Sequence, residues 1–355
     1  MDVVGQIELH FHGDVVRSGN HVNLSAVRLE GDVVWLAGDE TATVERLVLD
    51  SPTAPARAQA QLSVRLGDLV ELPGDPDDEA DIEGIARAGG DLWLVGSHSL
   101  VRKRIKPGNS EAKALRRLAT VRRDPNRFVV VRLAVEPGPD GRPVPVRVAG
   151  DGRVSAVLGA RGAENLTDVL AGDEHLGPFL SIPGKDNGLD VEGLAVHGDS
   201  LYVGLRGPVL RGWAMVLEVR PVGDPDDPGR LRLGAFPDGT RYRKHVLDLR
   251  GLGVRDLCPH GDDLLVLAGP TMSLSGPVRV HRWHGAAHTE AHRVVRGDEL
   301  TLETELPHGD GVDHAEGIAL LPGEPPRLLV VYDSPAPARR PTPHTVLADV
   351  VALRS

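Results

Sequence analysis

Three glutamates stand in closely related local frames. Asp81-Ile82-Glu83-Gly84-Ile85-Ala86 and Asp190-Val191-Glu192-Gly193-Leu194-Ala195 share an Asp-x-Glu-Gly motif, and Ala315-Glu316-Gly317-Ile318-Ala319 repeats its core. If Glu83, Glu192 and Glu316 converge, their oxygens together with water suit Ca2+, Mg2+ or Mn2+. A metal there would lower the pKa of a bound water and polarise an ester or phosphoryl oxygen. A fourth copy carries Arg255 where the others carry glutamate, followed by Asp256. The residues that depart from the repeat are those that packing does not require: His98, Lys185, Arg206, Arg255 and Asp256. Arg206 and Arg255 would clamp an anionic group through bidentate guanidinium contacts, and His98 would serve as acid or base near its ordinary pKa of ~6.5. The alternative is that Arg206 and Arg255 pair with Glu192 and Glu316 in a ring of structural ion pairs.

The elements that must position these groups are visible as a repeat. Five segments run from a short polar motif through apolar residues to a turn, then into a second apolar run, as in Asp81 to Ala86, Gly90-Asp91 and Leu92 to Gly96. The rim position is held in turn by Ser25, Glu83, Glu192, Arg255 and Glu316. Hairpins recurring every ~60 residues predict propeller blades. The first strand of each hairpin then starts at one mouth of the central channel, and the second ends nearby, bringing Asp39, Glu40, His98, Arg206 and Asp333 to the same rim.

The spacing predicts a single all-β domain over 1–355, a closed propeller with five blades preferred and six as the alternative. The stretch between Glu83 and Glu192 is long enough for a sixth blade but offers too few strands for two. Helical inserts are expected at about 110–123, with Ala112, Leu115, Leu118 and Val121 as a narrow apolar stripe over the second blade, and at 164–171. Gly5 to Phe11 is expected to close the last blade by pairing with Val346 to Leu353.

Composition excludes several functions. With 40 Lys and Arg against 51 Asp and Glu the net charge is -11, so no nucleic-acid partner is expected. Arg116-Arg117 and Arg122-Arg123 read as a solvated helix face. No apolar run approaches a membrane span, and the N-terminus lacks a signal-like pattern, so a cytoplasmic protein without a membrane partner is expected. Cys258 is the single cysteine, which excludes an internal disulfide. The histidines around His281 to His292 lack zinc-ligand spacing. No nucleophile elbow, phosphate-loop or dinucleotide motif is present.

Glu192-Gly193-Leu194-Ala195, Gly204-Leu205-Arg206-Gly207-Pro208, Gly251 to Leu257, Ala268-Gly269-Pro270 and Tyr332-Asp333-Ser334-Pro335 together resemble a bacterial family of predicted β-propellers of unknown function. More distantly, Asp-x-Glu-Gly on an innermost strand is similar to esterase-like phytases and metal-dependent propeller lactonases, which implies a hydrolase. The expected function is metal-dependent hydrolysis of a small anionic substrate, a phosphate ester or lactone. Glu83, Glu192 and Glu316 would be metal or water ligands, and His98, Arg206, Arg255 and Asp256 the catalytic and clamping groups. The alternative is a non-catalytic propeller whose charged rim is structural and whose surface binds a protein or ligand.

Overall fold

Each repeat folds as an antiparallel hairpin because two apolar runs flank a turn that glycine can close with positive φ, as Gly31 (+60°) and Gly261 (+63°) do. The computed structural model describes residues 3–51, 53–309 and 312–353. Leu24–Glu30 pairs with Val33–Gly38, Ile82–Ala88 with Asp91–Gly96, and Asp190–His197 with Ser200–Leu210. Gly253–His260 pairs with Asp263–Gly269, and His314–Leu321 with Arg327–Asp333. Further strands extend each hairpin outward, for example Thr43–Leu49 and Arg57–Arg65 beyond the first, or Val278–Trp283 and Leu300–Leu306 beyond the fourth.

The first strands of the hairpins form a ring. Leu24–Glu30 packs on Ile82–Ala88, which packs on Asp190–His197, then Gly253–His260, then His314–Leu321, and the last returns to Leu24–Glu30. This is a propeller arrangement. At the outer edge of the last hairpin, Thr345–Ala352 pairs with Arg327–Asp333 and, on its other side, with Val3–His10. Val3–His10 also meets Arg57–Arg65 in parallel through Glu8–Arg57 and Leu9–Ala58, so the first and last hairpins belong to one eight-stranded sheet.

The core lies between successive sheets rather than along the axis. Trp35 and Ile85 share one apolar cluster, Val95 and Val203 a second, Tyr202 and Trp283 a third, Tyr332 and Leu267 a fourth, and Ile7 and Leu36 a fifth. The two strands of each hairpin are therefore largely buried on both faces, which explains apolar runs in place of strict alternation.

The inserts are shorter than expected. A helix spans Glu111–Ala119 and not 110–123, because Thr120 turns extended and Val121–Arg122 pairs with Val101–Arg102. Its apolar stripe does not cover the second blade: Leu115, Leu118 and Val121 are exposed. The second insert is helical over Leu166–Leu170, where Asn165 and Asp168 form a capping box.

Candidate functional site

The rim is built by one local device used five times. In each inner strand the pairing register skips a residue, and the skipped residues are Ser25, Glu83, Glu192, Arg255 and Glu316. A bulge places its extra residue out of the ladder and re-aims the side chain. The glycine that follows each glutamate has a separate reason. A Cβ on Gly84 would lie 2.7 Å from Leu194 Cβ, and one on Gly317 3.0 Å from the Val27 backbone nitrogen, so neighbouring inner strands pass too closely for a side chain.

At the centre of this rim the charges neutralise one another. Arg206 donates to Glu192 and to the Met272 carbonyl, while Arg255 donates to Glu316 and, at 3.0 Å, to the Pro270 carbonyl. Arg255 Nη1 also lies 3.1 Å from Glu192 Oε2. Burial pushes the Glu192 carboxyl up, but the guanidiniums of Arg206 and Arg255 override it and hold the group below the ordinary glutamate range. Arg206 and Arg255 are thus occupied by carboxylates and carbonyls, and Glu192 by guanidiniums.

Two clefts open around this network. The outer one, about 530 Å³, is lined by Arg104, Lys185, Arg206, Arg255, His314 and Glu316 among others. The inner one, about 190 Å³, is lined by Asp39, Asp81, Glu83, Asp190, Glu192 and Glu316 with Arg127. Arg104, Lys185, Glu316 and Asp333 line both. Lys185 and Arg104 form no ion pair among the described residues, so two cations face this recess uncommitted.

The inner carboxyls crowd one another. Burial, then Asp81 and Asp333, raise Asp39 to about 8. Burial, then Asp81, Glu192 and Glu316, push Glu83 well above the usual carboxylate range. Burial also raises Glu316 to about 7 despite Arg255, and Asp190 to about 6 despite Lys185 and Arg206. Asp81 rises by burial to about 6, limited by Arg127, whose Nη1 donates to it at 2.5 Å. Asp333 runs the other way: burial is overcome by His314, whose Nδ1 lies 3.6 Å away, and by a hydrogen bond from Ser334 at 3.0 Å. Burial and crowding therefore favour the protonated form most strongly at Asp39 and Glu83, which then act as hydrogen-bond donors.

Glu83, Glu192 and Glu316 do not form the close ligand set that their motif suggested. Among the described residues, the donors lying within 4.8 Å of one another belong to His314, Glu316 and Asp333. Only Glu316 is common to both sets, because Glu192 turns to Arg206 and Glu83 lines the inner cleft, which His314 does not reach.

His98 and Asp256 are placed elsewhere than expected. His98 is buried, its Nδ1 lies 2.8 Å from the Gly96 carbonyl, and its ring packs edge-on against Phe128. Burial lowers it to about 4, so it stays neutral and lines neither cleft. Asp256 is fully buried and accepts from the backbone N–H groups of Leu257 (2.7 Å) and Ile318 (2.9 Å). Both are packed into the framework and line neither cleft.

One residue went unread in the sequence. Arg28, on the Ser25 strand, donates to the carbonyls of Ile85 (2.8 Å), Leu194 (3.1 Å), Leu257 (2.8 Å) and Ile318 (3.2 Å), one on each of the other inner strands. A guanidinium that touches all four must sit at the axis of the ring. His314 and Arg104 were likewise missed, the first for want of a motif and the second because its insert resembled a solvated face.

The model of one protein family matches residues 23–349. The chain belongs to the family described as "Protein of unknown function (DUF3616)". No curated protein matches it. Among solved structures it is similar to Myxococcus xanthus glutaminyl cyclase, at 11% identity, TM-score 0.40, and coverage of 99% of this chain and 100% of that one. It is also similar to the WD40 domain of Toxoplasma gondii coronin, at 10% identity, TM-score 0.35, and coverage of 99% and 86%. Likenesses this remote transfer no chemistry.

Proposed function

We propose that the chain closes as a five-bladed propeller whose rim recess binds a small anionic molecule and hydrolyses it, a phosphate ester or a lactone being the substrate class. The observation that carries this reading is the juxtaposition of uncommitted Lys185 and Arg104 with proton-holding Asp39 and Glu83 around clefts that share four lining residues. Lys185 and Arg104 orient the anion, taking the part first given to Arg206 and Arg255. Asp39 and Glu83 hold protons for a leaving oxygen, the part first given to His98.

His314, Glu316 and Asp333 fit a divalent cation, since each offers a donor atom and the three lie within 4.8 Å of one another. An imidazole departs from the all-oxygen shell typical of calcium and magnesium, so of the three expected ions the set favours manganese. When bound, such an ion supplies Lewis acidity toward the substrate oxygen.

The test is a thermal-shift titration with Mn2+, Mg2+ and Ca2+, followed by a screen of aryl phosphates and lactones. Mn2+ should raise the melting temperature of the wild type and not of Asp333→Asn, and Lys185→Ala should lose turnover. If the wild type neither shifts with any ion nor cleaves any ester, hydrolysis fails as a reading. The second reading then stands, a non-catalytic module that binds a protein partner. It is supported by the neutralisation of Glu192 by Arg206 and Arg255.

A further inference from the structure

The insert at 102–123 carries nine of the chain's 40 Lys and Arg but one, Glu111, of its 51 Asp and Glu. The rest of the molecule is correspondingly acidic. Of these basic residues Arg102 pairs with Asp186 at 2.6 Å and Arg122 with Asp124 at 3.4 Å. Lys103, Arg104, Lys106, Lys113 and Arg116 form no ion pair among the described residues. The charge is therefore not consumed by the fold.

The same insert presents apolar side chains to solvent. Ile105 is 51% exposed, Leu115 68%, Leu118 42% and Val121 40%. On Glu111–Ala119 the helical period separates Leu115 and Leu118 from Lys113, Arg116 and Arg117, and Arg117 folds back to the Arg104 carbonyl. The helix thus carries Leu115 and Leu118, with Glu111 between them, on one face and basic residues on the opposite one. That is the layout of a helix that lies in a lipid–water interface, where apolar residues enter the acyl boundary and Lys and Arg meet anionic headgroups.

We infer that this insert docks the protein on an anionic lipid surface. Charge complementarity excludes a neutral or basic partner. The insert contains no Phe, Tyr, Trp or His on which a nucleic-acid base could stack. Its apolar residues stand on a short helix, its two-stranded stem and the loop between them, and a lipid surface accepts such a face without shape complementarity. The acidic body is repelled from the same surface, so the insert alone makes contact and fixes orientation. Arg104 belongs to both the insert and the cleft lining, so docking brings the mouth toward the headgroups. No helix is long and apolar enough to cross a membrane, and the contact proposed is peripheral.

The experiment is co-sedimentation of the full chain with vesicles of phosphatidylcholine alone or mixed with phosphatidylglycerol. Two double variants accompany it, Leu115→Ser with Leu118→Ser, and Lys113→Glu with Arg116→Glu, each checked for an unchanged melting temperature, as expected for exposed residues. Binding should require phosphatidylglycerol and weaken with salt, and each double variant should lower the partition coefficient by about ten-fold or more. The inference is overturned if the wild type ignores anionic vesicles, if both variants bind as the wild type does, or if the chain captures an RNA oligomer or polyglutamate while ignoring the vesicles.

Discussion

Arg255 Nη1 lies 3.1 Å from Glu192 Oε2 while donating to Glu316, so a single guanidinium joins the inner strands on either side of its own. Arg206 completes the arrangement from the outer strand of the Glu192 hairpin. The charges at the centre of the rim are thereby paired with one another. The groups free to meet a ligand, Lys185, Arg104, Asp39 and Glu83, lie around it.

Glu192→Gln should test that division. It leaves Arg206 and Arg255 short of a charged acceptor and should destabilise by ~1 to 3 kcal/mol. Because the folded Glu192 pKa is depressed, its contribution is present above the unfolded value of ~4.3 and is lost as pH falls through the folded value. Urea unfolding should show the deficit at pH 7 and a smaller one in acid. A variant as stable as the wild type at pH 7 would remove the structural role given to this glutamate.

Arg28→Met should be more damaging. The change leaves four inner-strand carbonyls and the buried Asp256 without their shared donor. Breaking one side of a buried charge network costs roughly 3 to 5 kcal/mol. Asp256 is raised to about 7 by burial even with Arg28 present, so the variant should be rescued in part by Asp256→Asn. A urea midpoint for Arg28→Met within error of the wild type would contradict an axial plug.

The inner cleft gives the opposite pH sign from Glu192. The folded Asp39 pKa, about 8, exceeds the unfolded value of ~3.9, so its favourable contribution is complete below that value and is lost as pH rises toward 8. Asp39→Asn removes this loss. Relative to the wild type, the variant should gain stability steadily between those limits and level off above them. Denaturation curves across that range check it, and parallel curves would show that Asp39 is not held protonated.

The hairpins were legible because Gly-Asp turns between apolar runs leave little else for the chain to do. Equivalence of Ser25, Glu83, Glu192, Arg255 and Glu316 was legible for the same reason. What each side chain meets was not, since pairwise choices at a crowded rim depend on partners far apart in the chain, such as Arg206 with Met272. Arg28 sits between Val27 and Leu29 in an ordinary amphipathic strand pattern, where an arginine reads as solvent-facing. Only ring closure turns that position toward the axis. His98 shows the converse, being one of five deviations from the repeat, and the fold buries it against Phe128.

The Glu-Gly pairing in the motif leads to a final prediction that separates crowding from backbone strain. At Gly84 a Cβ would stand 2.7 Å from Leu194 Cβ, 2.8 Å from Val95 Cγ1 and 3.0 Å from the Leu194 backbone nitrogen. At Gly31 a Cβ would meet nothing within 4 Å, and the only penalty comes from φ +60°. Gly31→Ala should therefore cost about 1 to 2 kcal/mol through conformation alone. Gly84→Ala must push the Glu83 and Glu192 strands apart and should cost about 1 to 3 kcal/mol of overpacking, with partial relief in a Gly84→Ala, Leu194→Gly double variant that removes the opposing Cβ. Additive losses in that double variant would mean that the glycine serves something other than the approach of two inner strands.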